Sequence, residues 1–299
     1  MRLACIGIGS NAIRLLEAEW NEGGLCAVRR ERRGTRLFAG LVDGKLTNQS
    51  IQSSVEAVAE LAMLARADGS QEIFVFATSA VRDARNGDIF TSAAQEASGT
   101  HIDIITGEEE AVLSYIGASS GGRCGVIDIG GGSTEFTIGE GHDVLGAVSL
   151  QMGAVRMNAQ TPIVSLKDYE KTVDSCMHLI RRDAQSLLAL PRAECWAGVG
   201  GTMTTIGAMQ RSVPLFDPDL CEGMAISRAD VCAWGRKLAR LPLAGRRQII
   251  GLMPQRADII PSGVAILEAA MRVFSMESIV LSAHGNMDGY LKKKFQEMY

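Results

Sequence analysis

At 299 residues, with 46% hydrophobic and 21% charged side chains, the chain is long enough for two packed domains and too apolar to remain disordered. A formal net charge of −4 argues against broad electrostatic binding to nucleic acid or an anionic membrane, so an anionic substrate requires a local basic site. The seven cysteines are scattered with no Cys-x-x-Cys pair, which argues against a disulfide framework or a zinc site and fits buried thiols in a reducing cytoplasm. Met1 leads straight into a strand-like run that meets glycines, and no apolar run approaches the length of a bilayer span. Neither a signal peptide nor a membrane segment is expected.

In chain order, residues 3–11 read as strand, glycine turn and hydroxyl, with a return strand over 13–16. A short strand near 25–28 precedes the basic run Arg29-Arg30-Glu31-Arg32-Arg33, read as a solvated surface strand or loop, with attraction of a polyanion as the minority reading. Ile51, Val55, Val58, Leu61 and Met63/Leu64 recur at helical spacing within 46–66, and Gly69 stops that helix. The strand at 72–77 ends at Thr78-Ser79-Ala80, with Arg82, Arg85 and Asn86 following. Hydroxyls at a strand end beside an arginine suit an oxyanion rim, and they serve a helix N-cap equally well. After a strand at 101–105, Thr106-Gly107-Glu108-Glu109-Glu110 opens a helix whose acids suit its dipole; Glu110, one position further on, can turn toward a cleft. The Ser- and Gly-rich segment 118–123 is the expected domain boundary.

The central stretch is Gly125-Val126-Ile127-Asp128-Ile129-Gly130-Gly131-Gly132-Ser133-Thr134-Glu135-Phe136. It reads as a buried strand, a tight turn and a returning strand. Successive turn N–H groups make a concave anion site, and Asp128 stands where a carboxylate can hold a hydrated divalent cation that also touches phosphate. Ser133 and Thr134 add hydroxyls, and Glu135 adds a second acid. Ile6-Gly7-Ile8-Gly9 matches Ile127-Asp128-Ile129-Gly130, so the hairpin occurs twice, about 120 residues apart, as expected of two related α/β halves. Further on come a strand at 144–150, a basic corner at 151–156, one long amphipathic helix over 167–190 and a strand at 194–197. That strand runs into a third glycine turn, Gly198-Val199-Gly200-Gly201-Thr202, whose helix N-terminus suits phosphate. A helix to about 276, a strand at 278–282 and a basic-ended helix at 289–297 close the chain. His284 beside Gly285 reads as capped or solvated. The candidate residues lie at the C-terminal ends of strands, where open α/β sheets bind ligands, which supports one cleft between two halves.

Several of these segments together carry a resemblance. Gly9-Ser10-Asn11 with Arg14, Ala77-Thr78-Ser79-Ala80 with Arg82-Asp83-Ala84 and Asn86-Gly87, Gly107 with Glu109-Glu110-Ala111, and Asp128 to Glu135 come first. Gly153 with Val155-Arg156, Gly198 to Thr202, Arg256-Ala257-Asp258 and the closing Gly285 to Gly289 follow in the same order. The chain thus resembles the exopolyphosphatase/guanosine pentaphosphate phosphohydrolase family of the actin-like superfamily, in its short two-domain form. The resemblance implies an α/β fold of two actin-like (ribonuclease H-like) domains with an interdomain cleft, residues 1–118 plus 285–299 forming one and 119–284 the other.

It also implies that Glu110 orients or deprotonates the attacking water, and that Asp128 and Glu135 hold magnesium. Gly9, Ser10, Asn11, Thr78, Ser79, Gly130, Gly131, Gly132, Ser133, Thr134, Gly200, Gly201 and Thr202 would cradle phosphates, with Arg14 and Arg82 neutralising their charge. Two positions depart from the family pattern. Gly7 stands where the family carries Asp, which removes a carboxylate from the metal site, and Met287-Asp288 stands where the family has Arg-Glu. The expected activity is hydrolysis of terminal phosphoanhydride bonds of inorganic polyphosphate. The alternatives are removal of the 5′-γ-phosphate of guanosine pentaphosphate, non-catalytic binding of polyphosphate or alarmone because of Gly7, and an actin-like kinase or ATPase. Neither nucleic acid nor membrane is an expected partner, and a homodimer is left open.

Overall fold

The computed structural model describes residues 1–21 and 24–298, and its contacts divide the chain into two units, Met1–Leu113 with Asn286–Tyr299, and Ser114–Gly285. In the first unit the elements run β1 (Arg2–Ile8), β2 (Ile13–Asn21), β3 (Gly24–Arg33), a small hairpin β4 (Leu41–Val42) and β5 (Lys45–Leu46), then α1 (Asn48–Ala67). They continue as β6 (Glu72–Ala77), the single turn α2 (Ser79–Arg82), α3 (Gly87–Ser98), β7 (Ile102–Ile104) and the start of α4 (Gly107–Ala118). The first division between units falls inside α4.

The sheet order is β3-β2-β1-β6-β7, antiparallel from β3 to β1 and parallel from β1 to β7. β1 is central and buried along nearly its whole length, which is why its sequence is an unbroken apolar run rather than an alternating one. On one face Leu3, Cys5, Leu16 and Phe76 pack with Met287, Tyr290 and Leu291 of the last helix, the Phe76 and Tyr290 rings stacked at 4.9 Å. β3 is an edge strand and carries the basic run, as charge on an exposed edge discourages pairing with another chain. Three arginines of that run are held in ion pairs. Arg29 meets Glu31 and Asp68, Arg33 meets Glu31 and Glu60, and Arg30 meets Asp288 at 2.9 Å.

The second unit repeats the plan. β8 (Arg123–Ile129), β9 (Thr134–Glu140) and β10 (Asp143–Leu150) lead to α5 (Ala154–Gln160), α6 (Leu166–Asp183) and α7 (Gln185–Leu188). Then come β11 (Cys195–Val199), α8 (Gly200–Arg211), α9 (Pro218–Cys221), β12 (Ala225–Ser227), α10 (Arg228–Arg240), α11 (Leu243–Arg246), α12 (Ile260–Val273) and β13 (Ser278–Leu281). The first-unit helix α13 (Asn286–Met298) follows. The sheet order β10-β9-β8-β11-β13-β12 contains the first unit's order of third, second, first, fourth and fifth strand, with β12 added antiparallel at the edge. The repeat therefore extends from the glycine hairpin to the whole sheet, which is the ribonuclease H-like plan of actin-like proteins. Helix α12 is buried all round from Ile260 to Met271, as its largely apolar sequence requires, its one acid Glu268 accepting from Tyr169 Oη at 2.6 Å.

The structure departs from two sequence-based expectations. The single helix over 167–190 is two, because the chain leaves helical geometry at the fully buried Ala184 and α7 swings Leu187 onto Gly146 of β10. Neither Gly nor Pro marks that break; packing makes it. Nor are all the thiols buried, since Cys26 and Cys195 are exposed. Cys195 lies beside Cys124 in the parallel register of β11 and β8. Burial, and then Cys195, push the Cys124 thiol up to about 11, which keeps it protonated and unreactive at neutral pH. Among the described residues no helix is long and apolar enough to cross a membrane.

Candidate active site

The two glycine hairpins close in the same way. Gly9 donates its N–H to Ala12 O at 3.1 Å, and Gly130 donates to Ser133 O at 3.0 Å. A Cβ on either glycine would stand 3.1 Å from the carbonyl oxygen it bonds, so the turn leaves little room for a side chain.

In the first unit, the turn between β1 and β2 sets Ser10 against the start of α2, where Ser10 Oγ and Ser79 Oγ share a hydrogen bond of 2.8 Å. Thr78 and Asn11 are buried beside them, and Asn11 Oδ1 has no hydrogen-bond partner among the described residues. Arg14 lies opposite Gly7 on β1 and opposite Arg32 on β3. Among the described residues neither arginine forms an ion pair, and burial followed by the neighbouring Arg14 charge lowers the Arg32 pKa from its ordinary value. The basic run thus divides, with Arg29, Arg30 and Arg33 neutralised and Arg32 set beside Arg14. The four are alike in sequence; Glu60 of α1, Asp68 just beyond it and Asp288 of α13 take three of them, and the β2–β3 register sets the fourth beside Arg14.

The three acids at the start of α4 also divide. Glu109 is exposed and closes the helix end, its Oε2 accepting from the Thr106 N–H at 2.7 Å while Thr106 Oγ1 accepts from the Glu109 N–H at 3.1 Å. Glu110 is 6% exposed. Its Oε1 accepts from Asn286 Nδ2 at 3.3 Å, and its Oε2 lies 3.6 Å from Arg82 Nη1, which itself donates to Ile105 O at 2.9 Å. Gly7 leaves no open pocket for the carboxylate expected there from the resemblance. A Cβ at Gly7 would sit 3.3 Å from Met287 Cγ and Sδ and from Phe76, so Met287 fills that space.

In the second unit, Asp128 at the end of β8 and Glu135 on β9 are direct register partners. Side chains directly opposite on antiparallel strands share a face, with Cβ atoms about 4.5–5.5 Å apart. Ser114 Oγ donates to Asp128 Oδ2 at 2.8 Å and Ser149 Oγ to Glu135 Oε1 at 2.8 Å; the sequence offered no sign of either hydroxyl. No cluster of three or more His, Cys, Asp or Glu side chains able to hold a metal exists among the described residues. Two carboxylates with the remaining positions left to water and phosphate oxygen suit magnesium, which keeps several waters and dehydrates reluctantly.

The Gly130–Ser133 turn is anchored by α5: Ala154 N–H donates to Gly130 O, Val155 and Arg156 N–H to Gly131 O, and Arg156 Nε to Gly132 O at 2.7 Å. This close seating requires Gly153, where a Cβ would overlap the Gly131 carbonyl and come within 2.5 Å of the Gly132 carbonyl carbon. Gly153→Ala is expected to destabilise the protein by about 1–3 kcal/mol, the usual cost of overpacking. A urea midpoint and turnover both equal to wild type would show that the turn does not depend on this contact. At the third glycine turn Gly200 has φ +86°, and a Cβ there would lie 2.5 Å from Asp128 Oδ1, while the Arg256 guanidinium presses on Gly201.

One hydroxyl expected at phosphate is engaged elsewhere: Thr134 Oγ1 donates to Met152 O. Thr202 packs against Gly263 of α12, and both side chains are wholly buried. Ser133 is buried at the turn itself.

The Ppx/GppA phosphatase family profile matches residues 18–297. The chain belongs to that family. It is 31% identical over 310 residues to exopolyphosphatase 2 of Mycobacterium tuberculosis, covering 96% of this chain and 97% of that protein. It is 28% identical to guanosine-5′-triphosphate,3′-diphosphate pyrophosphatase of Photobacterium profundum, covering 99% of this chain but 59% of that longer relative. The solved structure of an exopolyphosphatase-like protein superposes with a TM-score of 0.90 at 26% identity, over the whole of both chains. The Ppx/GppA relationship thus agrees with the doubled actin-like sheet topology, and both named relatives are hydrolases of phosphoanhydride bonds.

Proposed function

We propose that the protein hydrolyses the terminal phosphoanhydride bonds of inorganic polyphosphate, releasing orthophosphate. The observation that carries this reading is the buried carboxylate of Glu110, approached on both oxygens by named donors while its neighbour Glu109 serves the helix end. In the proposed reaction Glu110 holds a water in line with the terminal phosphorus and takes its proton. The water oxygen bonds to phosphorus as the bridging P–O bond breaks, and the shortened chain leaves with the bridging oxygen. Phosphoryl transfer needs positioning and charge neutralisation more than covalent chemistry. In the first unit Arg14, Arg32 and Arg82 would neutralise phosphate oxygens, and the Ser10 and Ser79 hydroxyls and the Asn11 side-chain N–H groups would donate to them. In the second, where the Gly130 N–H closes the turn, Gly131, Gly132, Ser133 and the start of α8 would donate N–H groups. Asp128 and Glu135 would hold a divalent cation, magnesium in the first instance, which supplies charge neutralisation of phosphate oxygens when bound.

Polyphosphate is preferred over guanosine pentaphosphate because the relative matched along almost its full length is an exopolyphosphatase. The space at Gly7, filled by Met287, favours one second reading, a weakened enzyme that binds its anion and turns it over slowly. The deciding measurement is phosphate release from polyphosphate, guanosine pentaphosphate and ATP side by side, with magnesium present. Release from polyphosphate above the other two is expected. Polyphosphate that is bound but remains intact would replace hydrolysis by binding as the function.

A further inference from the structure

We infer that Asn286 is a positioning residue that joins Arg14 to Glu110 through its side-chain amide and holds both in working orientation without letting them pair. The inference rests on the roles proposed above for Glu110 and Arg14. Asn286 opens α13 and is 3% exposed. Its Oδ1 accepts from Arg14 Nη2 at 3.2 Å, and its Nδ2 donates to Glu110 Oε1 at 3.3 Å. A guanidinium has only donors and an ionised carboxylate only acceptors, so the two partners dictate which way the amide faces. The reverse orientation would set donor against donor at Arg14 and acceptor against acceptor at Glu110.

What this neutral spacer achieves is clear from the alternative. A direct Arg14–Glu110 ion pair would cancel the charge Arg14 needs for phosphate and engage the lone pair Glu110 needs for water. The amide fixes both groups by hydrogen bonds while leaving Arg14 its charge. Its own place is secured by the first turn of α13, where Met287 is packed in the core and Asp288 holds Arg30 at 2.9 Å. With Asn286 on Oε1 and Arg82 beside Oε2, the plane of the Glu110 carboxylate is set from two sides.

Two substitutions separate this role from simple packing. Asn286→Leu keeps the bulk and removes both hydrogen bonds. Asn286→Asp keeps the shape, but its oxygens can only accept, so it pairs with Arg14 and turns away from Glu110. Asn286→Leu should lower kcat on polyphosphate by about 10²-fold, the scale on which small misplacements of a catalytic group act. In a Glu110→Gln background the same change should lower the residual kcat by less than about threefold, because the group it positions is already gone. Affinity for polyphosphate, measured by equilibrium binding to Glu110→Gln protein, should fall about tenfold with Asn286→Asp, whose new charge occupies Arg14, and change little with Asn286→Leu. A packing role predicts the opposite order, since aspartate is the better fit. Wild-type kcat in both Asn286 variants, alongside an inactive Glu110→Gln protein, would overturn this inference alone. Wild-type kcat in Glu110→Gln itself would overturn the reading of Glu110 and this inference with it.

Discussion

Glu110→Gln is expected to lower turnover of polyphosphate by about 10²–10⁴-fold, the range for a positioned acid–base group, with polyphosphate binding largely retained. Glutamine keeps the size of the side chain and can still accept from Asn286 Nδ2, so the surrounding structure has no reason to change. What it loses is the negative charge facing Arg82 and the ability to take a proton from water. Glu109→Gln is the internal control. Glu109 is exposed and its role is local, closing the first turn of α4 against Thr106, so its loss should cost a few tenths of a kcal/mol in stability and leave turnover unchanged. Since the two acids are neighbours of the same type, the contrast between them tests burial and partners rather than composition. Equal turnover in Glu110→Gln and wild type, or a large loss in Glu109→Gln, would reverse the assignment.

The second large effect is expected at the carboxylate pair. Asp128→Asn should reduce turnover at fixed magnesium by about 10²–10³-fold, equivalent to about 3–4 kcal/mol of transition-state stabilisation, with part of the loss recovered as magnesium is raised. The asparagine oxygen can still accept from Ser114 Oγ, so the loss should be of charge and not of fold. Sensitivity should be steep because the proposed cation site would have only two acids, Asp128 and Glu135. At position 7 of the first unit Met287 takes the space a side chain would need. Gly7→Asp would accordingly need Met287 to give way, and a paired change at 287 is the better restoration. Full activity in the presence of excess chelator would remove the cation from the proposal altogether.

Part of this was local and could be read directly. The glycine hairpins at 7–14 and 128–136 announce themselves because a turn that tight favours glycine, and because the strands leading into them, covered on both faces, are mainly apolar. Their repetition about 120 residues apart led to two related halves, and the common strand order of the two sheets follows the same duplication. The identity of the acids was likewise legible, since Asp128 and Glu135 flank one turn and Glu110 opens one helix.

What each side chain does with its neighbours was decided by tertiary structure. Arg29 and Arg32 are equally basic in sequence, but packing brings Asp68 to the first, while the β2–β3 register sets the second opposite Arg14. Thr134 and Ser133 are adjacent hydroxyls, and strand geometry sends the first to Met152 O. The break at Ala184 has no glycine or proline because it is made by Leu187 docking on β10. Asn286 lies 272 residues from Arg14 and 176 from Glu110, and nothing local to any of the three indicates the others. Periodicity and turn chemistry act over a few residues and are written in the order of the chain. Charge partners, hydroxyl direction and the spacing of a carboxylate from a guanidinium depend on which distant segments the packed core brings together.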